Sequence, residues 1–283
     1  MATWQAAVPG PRLWVAADQE GGQVQTLRGP GFEVLPSALQ QGALPAPELR
    51  ALADGLGASL ADAGVNLDLA PVADVVPAGT EKANPPIGVF SRQYGSTADV
   101  VVAAAGTIVG GLGAHGVTAT LKHFPGLGRV QQNTDTSANV VDGTTAPTDA
   151  QVAAFGRLAG SPAHPFVMAS SAIYSQIDPT TEAVFSSVVL TDLLRGQLGF
   201  DGVVIADDIG NAKAVQAVPA GERAVRFLAA GGTLVLTVDA GLVPEMIDAV
   251  LARTDSDPAF AAQVDAALHT ALLAKARAGL LPG

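Results

Sequence analysis

Short runs of apolar residues alternate along the chain with stretches of helical periodicity. Six such runs lie at residues 13–17, 65–70, 117–122, 166–169, 202–206 and 233–238. A run that is apolar on both faces is typical of a parallel strand covered by helices. Helical patterns lie at residues 46–63, 97–113, 148–159, 187–198, 221–230, 243–253 and 258–278. This alternation predicts an α/β fold built on a parallel sheet.

The composition favours one large body. Of the 283 residues, 48% are hydrophobic and 14% are charged, and so few charges could not cover the surfaces of several small domains. A (β/α)₈ barrel typically takes about 250 residues, and no linker or low-complexity segment divides the sequence. Residues 1–283 are therefore expected to form a single domain.

Charge and residue types exclude several function classes. The formal net charge is −11 at pH 7, so the chain would repel a phosphate backbone and no nucleic-acid partner is expected. The sequence has no cysteine, which excludes disulfides and thiolate nucleophiles. His115, His164 and His269 have no further ligand at metal-binding spacing, so no metal or organic cofactor is expected. Cellular location and oligomeric state stay open.

One segment has the hydropathy of a membrane span. Residues 100–121 contain no Asp, Glu, Lys or Arg, which is typical of a transmembrane helix. Gly110, Gly111, Gly113 and Gly116 interrupt this segment, and glycine breaks helical patterns. The segment is therefore interpreted as a buried helix that leads into a strand, and no membrane span is expected.

Ionisable residues follow three of the apolar runs directly. Asp18 follows the first run, Lys122 ends the third run and His123 follows it, and Asp207 and Asp208 follow the fifth. Enzymes with parallel barrels keep their chemistry at the carboxyl ends of the strands. Each group also has a plainer interpretation, as a solvated turn, a surface pair or a helix cap. The three groups together favour a polar site at one end of the sheet.

The sequence resembles the family 3 glycoside hydrolases, in particular their small single-domain β-N-acetylhexosaminidase branch. The resemblance rests on five blocks in one order: DQEGG at 18–22, NLDLAPVADV at 66–75, NPPIG at 84–88 followed by Arg92, KHFPG at 122–126, and GFDGVVIADD at 199–208. It implies a (β/α)₈ TIM-type barrel. It also implies hydrolysis of terminal β-linked N-acetylglucosamine with retention of configuration, through a covalent glycosyl-enzyme intermediate.

The resemblance also implies roles for individual residues. Asp207 corresponds to the nucleophile of the family. Asp18, Arg92, Lys122 and His123 correspond to the ligands of the sugar hydroxyls. A carboxylate and three hydrogen-bond donors around one ring can orient a neutral pyranose while its anomeric carbon faces the nucleophile.

The sequence departs from the family pattern at the general acid. The branch has a histidine within an Asp-Ser/Thr-His motif shortly after KHFPG, whereas this chain has Ser137 at that place. A serine hydroxyl does not titrate near neutral pH, and general acid–base assistance is worth roughly 10²–10⁴ in rate. Asp135 could serve instead if its loop folds toward the site. The alternative is a carbohydrate-binding pseudoenzyme with an intact sugar pocket, and an unrelated α/β enzyme is a third reading.

A second departure concerns the start of the fold. The family's first βα unit should precede residue 13, and twelve residues are too few to form it. The sequence therefore predicts a barrel that lacks its first βα unit and is incompletely closed. The 13–17 run is expected to lie exposed or to pair with a neighbouring molecule.

Overall fold

The computed structural model describes residues 2–7 and 10–282. The strands are β1 (Ala16–Ala17), β2 (Gln19–Gly21), β3 (Val24–Gln25), β4 (Leu67–Asp68), β5 (Thr118–Phe124), β6 (Val141–Asp142), β7 (Phe166–Ala169), β8 (Ile173–Tyr174), β9 (Asp178–Glu182) and β10 (Val204–Ala206). The α-helices are α1 (Ala2–Ala6), α2 (Ala38–Gly42), α3 (Ala46–Asp62), α4 (Ala98–Ala114), α5 (Ala150–Ala159), α6 (Ala220–Ala229), α7 (Val243–Ser256) and α8 (Pro258–Arg277). A π-helix spans Val188–Gln197, and 3₁₀ turns lie at Glu81–Ala83, Gly88–Phe90, Ala183–Phe185, Lys213–Val215 and Ala240–Leu242.

The central sheet is parallel and has the strand order β1-β4-β5-β7-β10. Each strand is followed by at least one helix before the next strand of this sheet, so neighbouring strands run in the same direction. The sheet is curled into a half-barrel. The predicted α/β architecture with a parallel sheet is therefore confirmed, and all its strands place their carboxyl ends at one edge.

The sixth apolar run is shorter as a strand than predicted. Within residues 233–238, only Leu234 forms a β-bridge, with Ile205 of β10. The N–H of Thr233 donates to the carbonyl of Val204 at 2.8 Å, but the N–H of Val238 donates to the Asp208 carboxylate at 3.1 Å instead of to a strand. The side chain of Asp208, two residues after β10, thus accepts the backbone N–H of Val238 in place of a neighbouring strand.

The 13–17 run contributes β1, the outermost strand on one side of the central sheet, and its side chains are partly buried. Pairing of this strand with a neighbouring molecule stays a prediction. Val15 and Ala17 are 6% and 5% exposed. The Trp14 ring packs edge-on against Phe166 at 5.2 Å between centroids, and the Lys275 ammonium of α8 lies 5.9 Å from the Trp14 ring centroid. The described residues before β1 form α1 and no strand, residues 8 and 9 lie outside the described part, and the absence of a first βα unit stays a prediction.

The segment with membrane-like hydropathy forms α4 followed by β5. Val101, Ala105, Ile108 and Leu112 are all buried, and α4 packs closely on α3 because glycines face the contact: a Cβ on Gly111 would lie 2.6 Å from the backbone of α3. Among the described residues, none of the helices combines the length and the hydropathy needed to cross a membrane.

Candidate active site

A polar cavity of about 390 Å³ opens at the carboxyl ends of the parallel strands. Its lining residues are Asp18, Val24, Leu69, Pro86, Arg92, Lys122, His123, Leu127, Asn133, Thr134, Asp135, Met168, Asp207, Asp208, Leu236 and Val238. All six residues predicted for the site are among them. A larger cavity of about 500 Å³ beside α3 has Glu33 as its one ionisable lining residue, so the polar cavity is the better candidate for chemistry.

The sheet and its loops bring these residues together. Asp18 directly follows β1, Lys122 and His123 lie near the carboxyl end of β5, and Asp207 directly follows β10. Arg92 lies between β4 and α4, just after the 3₁₀ turn Gly88–Phe90. Parallel strands end at one edge of the sheet, so residues far apart in sequence meet there.

A buried carboxylate, Glu20, joins two of the cationic residues. Arg92 donates through Nε and Nη2 to the two oxygens of Glu20 at 2.8 and 2.6 Å, and the Lys122 ammonium lies 2.7 Å from Glu20 Oε1. Lys122 also donates to Asp18 at 2.6 Å. Burial alone would raise the pKa of Glu20, but the charges of Lys122 and Arg92 outweigh this effect and hold the pKa at about 2. Glu20 is therefore ionised.

A second buried carboxylate, Asp68, lies at the end of β4 beneath this group. It is fully buried. Its Oδ1 accepts the N–H of Gln19 at 3.0 Å, while Oδ2 has no hydrogen-bond partner in the described chain. Burial raises the pKa of Asp68 to about 7, the Gln19 bond and Lys122 oppose the rise, and Asp18 and Glu20 add to it. Asp68 therefore titrates near neutral pH, unlike Glu20.

The His123 ring is oriented by Asp74. Asp74 Oδ2 lies 2.8 Å from Nδ1 of the ring, and Asp74 Oδ1 accepts the backbone N–H groups of His123 and Leu127 at 3.1 and 2.8 Å. Asp74 is fully buried, so these bonds fix the ring in one orientation. With Nδ1 committed to Asp74, Nε2 is the nitrogen left for a ligand in the cavity.

The two acids after β10 have different surroundings. The Asp208 carboxylate accepts backbone N–H groups from Gly210, Asn211 and Val238 at 2.9, 3.2 and 3.1 Å, which ties it to the loop. Asp207 Oδ1 accepts the N–H of Asp208 at 2.9 Å, and Asp207 Oδ2 forms no hydrogen bond within the described residues. Asp207 is therefore the acid that can offer a free oxygen to a ligand.

The loop after β5 places Asp135 rather than Ser137 at the cavity. The backbone carbonyls of Asp135 and Thr134 accept N–H groups from Lys213 and Ala214 at 3.2 and 3.0 Å, which attach the loop to the segment after Asp207. Ser137 is not among the lining residues within the described chain. Partial burial, and then the nearby charge of Asp207, raises the pKa of Asp135, while His123 opposes the rise.

This arrangement can support reactions of neutral polyols and acetals. Asp207 and Asp135 are two carboxyl groups at one cavity, and the raised pKa of Asp135 suits that carboxyl to hold a proton and to give it up. Lys122, Arg92 and His123 can donate hydrogen bonds to hydroxyl groups. In the part of the chain that the structure describes, no three acidic or histidine side chains are grouped so that they could hold a metal ion.

Three residues of this arrangement were missed by the sequence reasoning as site residues. Glu20, Asp68 and Asp74 all lie within the sequence blocks that carry the family resemblance. Their signal is a carboxylate within a predicted strand or no more than four residues after one: Asp68 lies in the 65–70 run, Asp74 four residues after it, and Glu20 three residues after the 13–17 run. That signal could identify acids near the site, but it could not indicate which of them would be buried against Lys122 or His123.

Comparison with known proteins agrees with this geometry. The model of the glycosyl hydrolase family 3 N terminal domain matches residues 3–272. A protein of Stenotrophomonas maltophilia named beta-hexosaminidase is 36% identical over 260 residues, which cover 88% of this chain and 74% of that protein.

Solved structures give the same result. The crystal structure of a beta-N-acetylhexosaminidase from Beutenbergia cavernae is 50% identical, covers 96% of this chain and 82% of its own, and has a TM-score of 0.93. A glycoside hydrolase family 3 beta-N-acetylglucosaminidase from Paenibacillus is 31% identical with a TM-score of 0.85, over 96% of this chain and 51% of its own. The resemblance is confirmed: the chain is a glycosidase that belongs to glycosyl hydrolase family 3.

Proposed function

We propose that the chain hydrolyses terminal β-linked N-acetylglucosamine with retention of configuration. Two observations outside the cavity support the substrate: relatives at 36% and 50% identity carry the names beta-hexosaminidase and beta-N-acetylhexosaminidase. The observation that carries the proposal is the meeting of Asp207, with one uncommitted oxygen, and the donors Arg92, Lys122 and His123 at one cavity. The strand and loop geometry thus supports a sugar held over a nucleophile.

Asp207 is the nucleophile in this proposal. Its free oxygen attacks the anomeric carbon, and the bond from that carbon to the leaving oxygen breaks with its electron pair on the oxygen. A glycosyl ester on Asp207 results. Water then attacks the same carbon, the ester bond breaks, and the Asp207 carboxylate is restored; two inversions give net retention.

Arg92, Lys122, His123 and Asp18 bind the sugar in this proposal. Asp18 is 43% exposed at its side chain, whereas Lys122 is 3% exposed, so the carboxylate of Asp18 can accept from a hydroxyl at the cavity surface. Charge-assisted hydrogen bonds to the ring hydroxyls strengthen as the oxocarbenium-like transition state forms. Loss of Lys122 is therefore expected to raise KM and to lower kcat together.

Asp135 is the proton donor in this proposal, in place of a histidine. Its raised pKa favours a protonated carboxyl that gives its proton to the leaving oxygen in the first step. The resulting carboxylate takes a proton from water in the second step. Ser137 could perform neither transfer near neutral pH.

Replacement of Asp207 tests the nucleophile. Asp207→Ala is expected to abolish turnover of an aryl β-N-acetylglucosaminide and to leave thermal unfolding unchanged. Asp201→Ala is the matched control, because Asp201 is an exposed acid just before the same strand, at its opposite end, and this variant should keep wild-type rates. Wild-type rates in Asp207→Ala would refute the proposal.

Dependence on the leaving group tests Asp135. A nitrophenolate leaves without a proton, whereas a sugar alkoxide does not, so Asp135→Asn should lower disaccharide turnover by about 10² or more and aryl turnover less. Azide, which needs no base, should speed release in this variant and give a glycosyl azide. Equal losses on both substrates, without an azide response, would show that another group serves as acid.

The same two substrates also test the alternative that the chain is a carbohydrate-binding pseudoenzyme. If the wild type turns over neither substrate and calorimetry shows binding of N-acetylglucosamine, the chain is a carbohydrate-binding pseudoenzyme. In that case Ser137→His is the variant to measure, because it places an imidazole where the family pattern has one. A gain in disaccharide turnover that exceeds the gain in aryl turnover would assign the loss of activity to Ser137.

A further inference from the structure

We infer that Glu20 is a positioning residue that holds the Lys122 ammonium and the Arg92 guanidinium in the arrangement that binds the sugar. The inference rests on the proposed function, because it concerns the ligands of the same cavity. Glu20 itself is not among the residues that line the cavity. It therefore acts through the two cations that do.

The Glu20 carboxylate is saturated by these two cations. Both of its oxygens accept from Arg92, at 2.8 and 2.6 Å, and Oε1 also lies 2.7 Å from the Lys122 ammonium. The side chains of Glu20 and Lys122 are each 3% exposed, so water does not compete for these bonds. Removing the charge would leave the buried ammonium of Lys122 and the partly buried guanidinium of Arg92 without their shared counter-ion.

The other contacts of the two cations cannot replace Glu20. Arg92 has one further hydrogen bond, from Nη1 to the carbonyl of Pro86 at 2.8 Å. Lys122 has Asp18, which is more exposed and is itself a proposed sugar ligand. Glu20 is thus the buried counter-ion that Lys122 and Arg92 share, whereas Asp18 is a more exposed counter-ion of Lys122 at the cavity.

The backbone around Glu20 is held rigidly, as a positioning residue requires. Its carbonyl accepts from Gln41 Nε2 at 2.8 Å. The next residue, Gly21, has φ +102°, a conformation that strongly favours glycine, and a Cβ there would lie 2.3 Å from the carbonyl oxygen of Pro36. The turn after Glu20 therefore cannot shift to follow a displaced side chain.

The principal test is Glu20→Gln, which keeps the shape and removes the charge. It should raise KM of the aryl substrate about tenfold or more, because charge-assisted bonds to Lys122 and Arg92 are lost, and it should also lower kcat. Asp149→Asn is the matched control: it removes the carboxylate partner of Arg129, which lies at 2.8 Å, outside the cavity. This control should leave KM and kcat unchanged.

A titration separates positioning from a purely structural role. Burial disfavours the charged form of Lys122, whereas Glu20 and then Asp18 raise its pKa above the ordinary value. In Glu20→Gln the ammonium should lose its proton at lower pH, so the alkaline limb of kcat/KM should move to lower pH. The Nζ resonance of Lys122, one of four lysines in the chain, should report the same shift in labelled protein without any substrate.

The outcomes are distinct. Unchanged KM, pH profile and Nζ titration in a folded Glu20→Gln variant would overturn the inference. A wild type that neither binds nor cleaves N-acetylglucosaminides would overturn the proposed function, while the Nζ titration would still decide the role of Glu20 toward Lys122. If Glu20→Gln does not fold, Glu20→Asp takes its place: the shorter side chain keeps the charge, and an unchanged KM there would equally contradict the inference.

Discussion

Asp68 and Glu20 show that the surroundings of a buried carboxylate determine its pKa. Glu20 forms ion pairs with Arg92 and Lys122, whereas Asp68 accepts one hydrogen bond, from the backbone N–H of Gln19. Their pKa values differ accordingly, about 2 for Glu20 and about 7 for Asp68. The partnered acid is a fixed charge, and the unpartnered acid is a titrating group.

Asp68 should therefore make stability depend on pH. Its pKa is raised on folding from 3.8 to about 7, so the folded state binds more protons than the unfolded state between these values and stability falls as pH rises through them. The loss is about 1.4 kcal/mol per pH unit. Asp68→Asn, which cannot ionise, should lack this loss, so urea unfolding from about pH 4 to about pH 7 should show its advantage over the wild type growing with pH.

Asn at position 68 keeps an oxygen for the Gln19 N–H, and the comparison therefore isolates the charge. The pKa of Glu20 is shifted in the opposite direction, so its contribution to stability is lost as pH falls from 4.5 to about 2. Both proteins carry Glu20, and this contribution therefore cancels from the difference between them. A constant difference between Asp68→Asn and the wild type across this range would show that Asp68 is not protonated on folding.

At the same scale, the sequence could predict which residues face the cavity better than which residues support them. Asp18 and Asp207 directly follow apolar runs and Lys122 ends one, and the carboxyl ends of parallel strands lie at one end of the sheet. Glu20 and Asp74 do not differ from these in residue type. Their burial follows from contacts with Arg92 and His123, which are 72 and 49 positions away and are set by the folded chain.

Among the elements, the loop after β5 packs tightly against the segment that follows β4. A Cβ on Gly128 would lie 2.0 Å from the carbonyl oxygen of Val75, in the segment that follows β4. The loop continues to Asp135, whose carbonyl accepts from Lys213. The element that carries the proposed acid is thus fixed at both ends by backbone contacts.

Gly128→Ala tests this packing. The added methyl group must displace the 75–76 backbone, and overpacking of this kind costs typically 1–3 kcal/mol or more, so the variant should unfold at lower urea and lose activity. Gly110→Ala is the control. Gly110 is exposed in α4 with no atom within 4 Å of the added Cβ, and this change should stabilise the helix by about 0.5–1 kcal/mol. Equal stability of Gly128→Ala and wild type would contradict the close contact.

The sequence predicts elements correctly where a regular pattern of buried residues sets them. It was wrong where a side chain takes a backbone hydrogen bond that a strand would otherwise form. Helix α3 was predicted at residues 46–63 and spans Ala46–Asp62. The 233–238 run was predicted as a full strand and forms one bridge. Hydropathy cannot distinguish the two cases, because the ladder ends where the Asp208 carboxylate takes the N–H of Val238.

For the whole molecule, the net charge of −11 should not matter to an uncharged substrate. Long-range fields change the encounter rate of charged ligands only, and salt screens them. The kcat/KM of a neutral aryl β-N-acetylglucosaminide should change less than about twofold between about 20 mM and about 500 mM NaCl. That of a glycoside with a carboxylate on its aglycone should rise with salt, because the protein repels it at low ionic strength.

A strong salt dependence of kcat/KM with the neutral substrate would contradict this expectation. It would indicate that salt screens the ion pairs of the cavity, above all the pair of Lys122 with Asp18. Lys122 is 3% exposed, which supports the weak dependence. The measurement needs only the wild-type protein and two substrates.

Trapping the intermediate tests the central claim, that this cavity is a retaining glycosidase site with Asp207 as nucleophile, most directly. An activated, ring-fluorinated N-acetylglucosaminide slows the second displacement, so the glycosyl ester should accumulate. Mass spectrometry of the digested protein should find one added sugar on the peptide that contains Asp207, and Asp207→Ala should show none. Substrate turnover with the sugar attached to another residue, or with no adduct at any residue, would contradict the account.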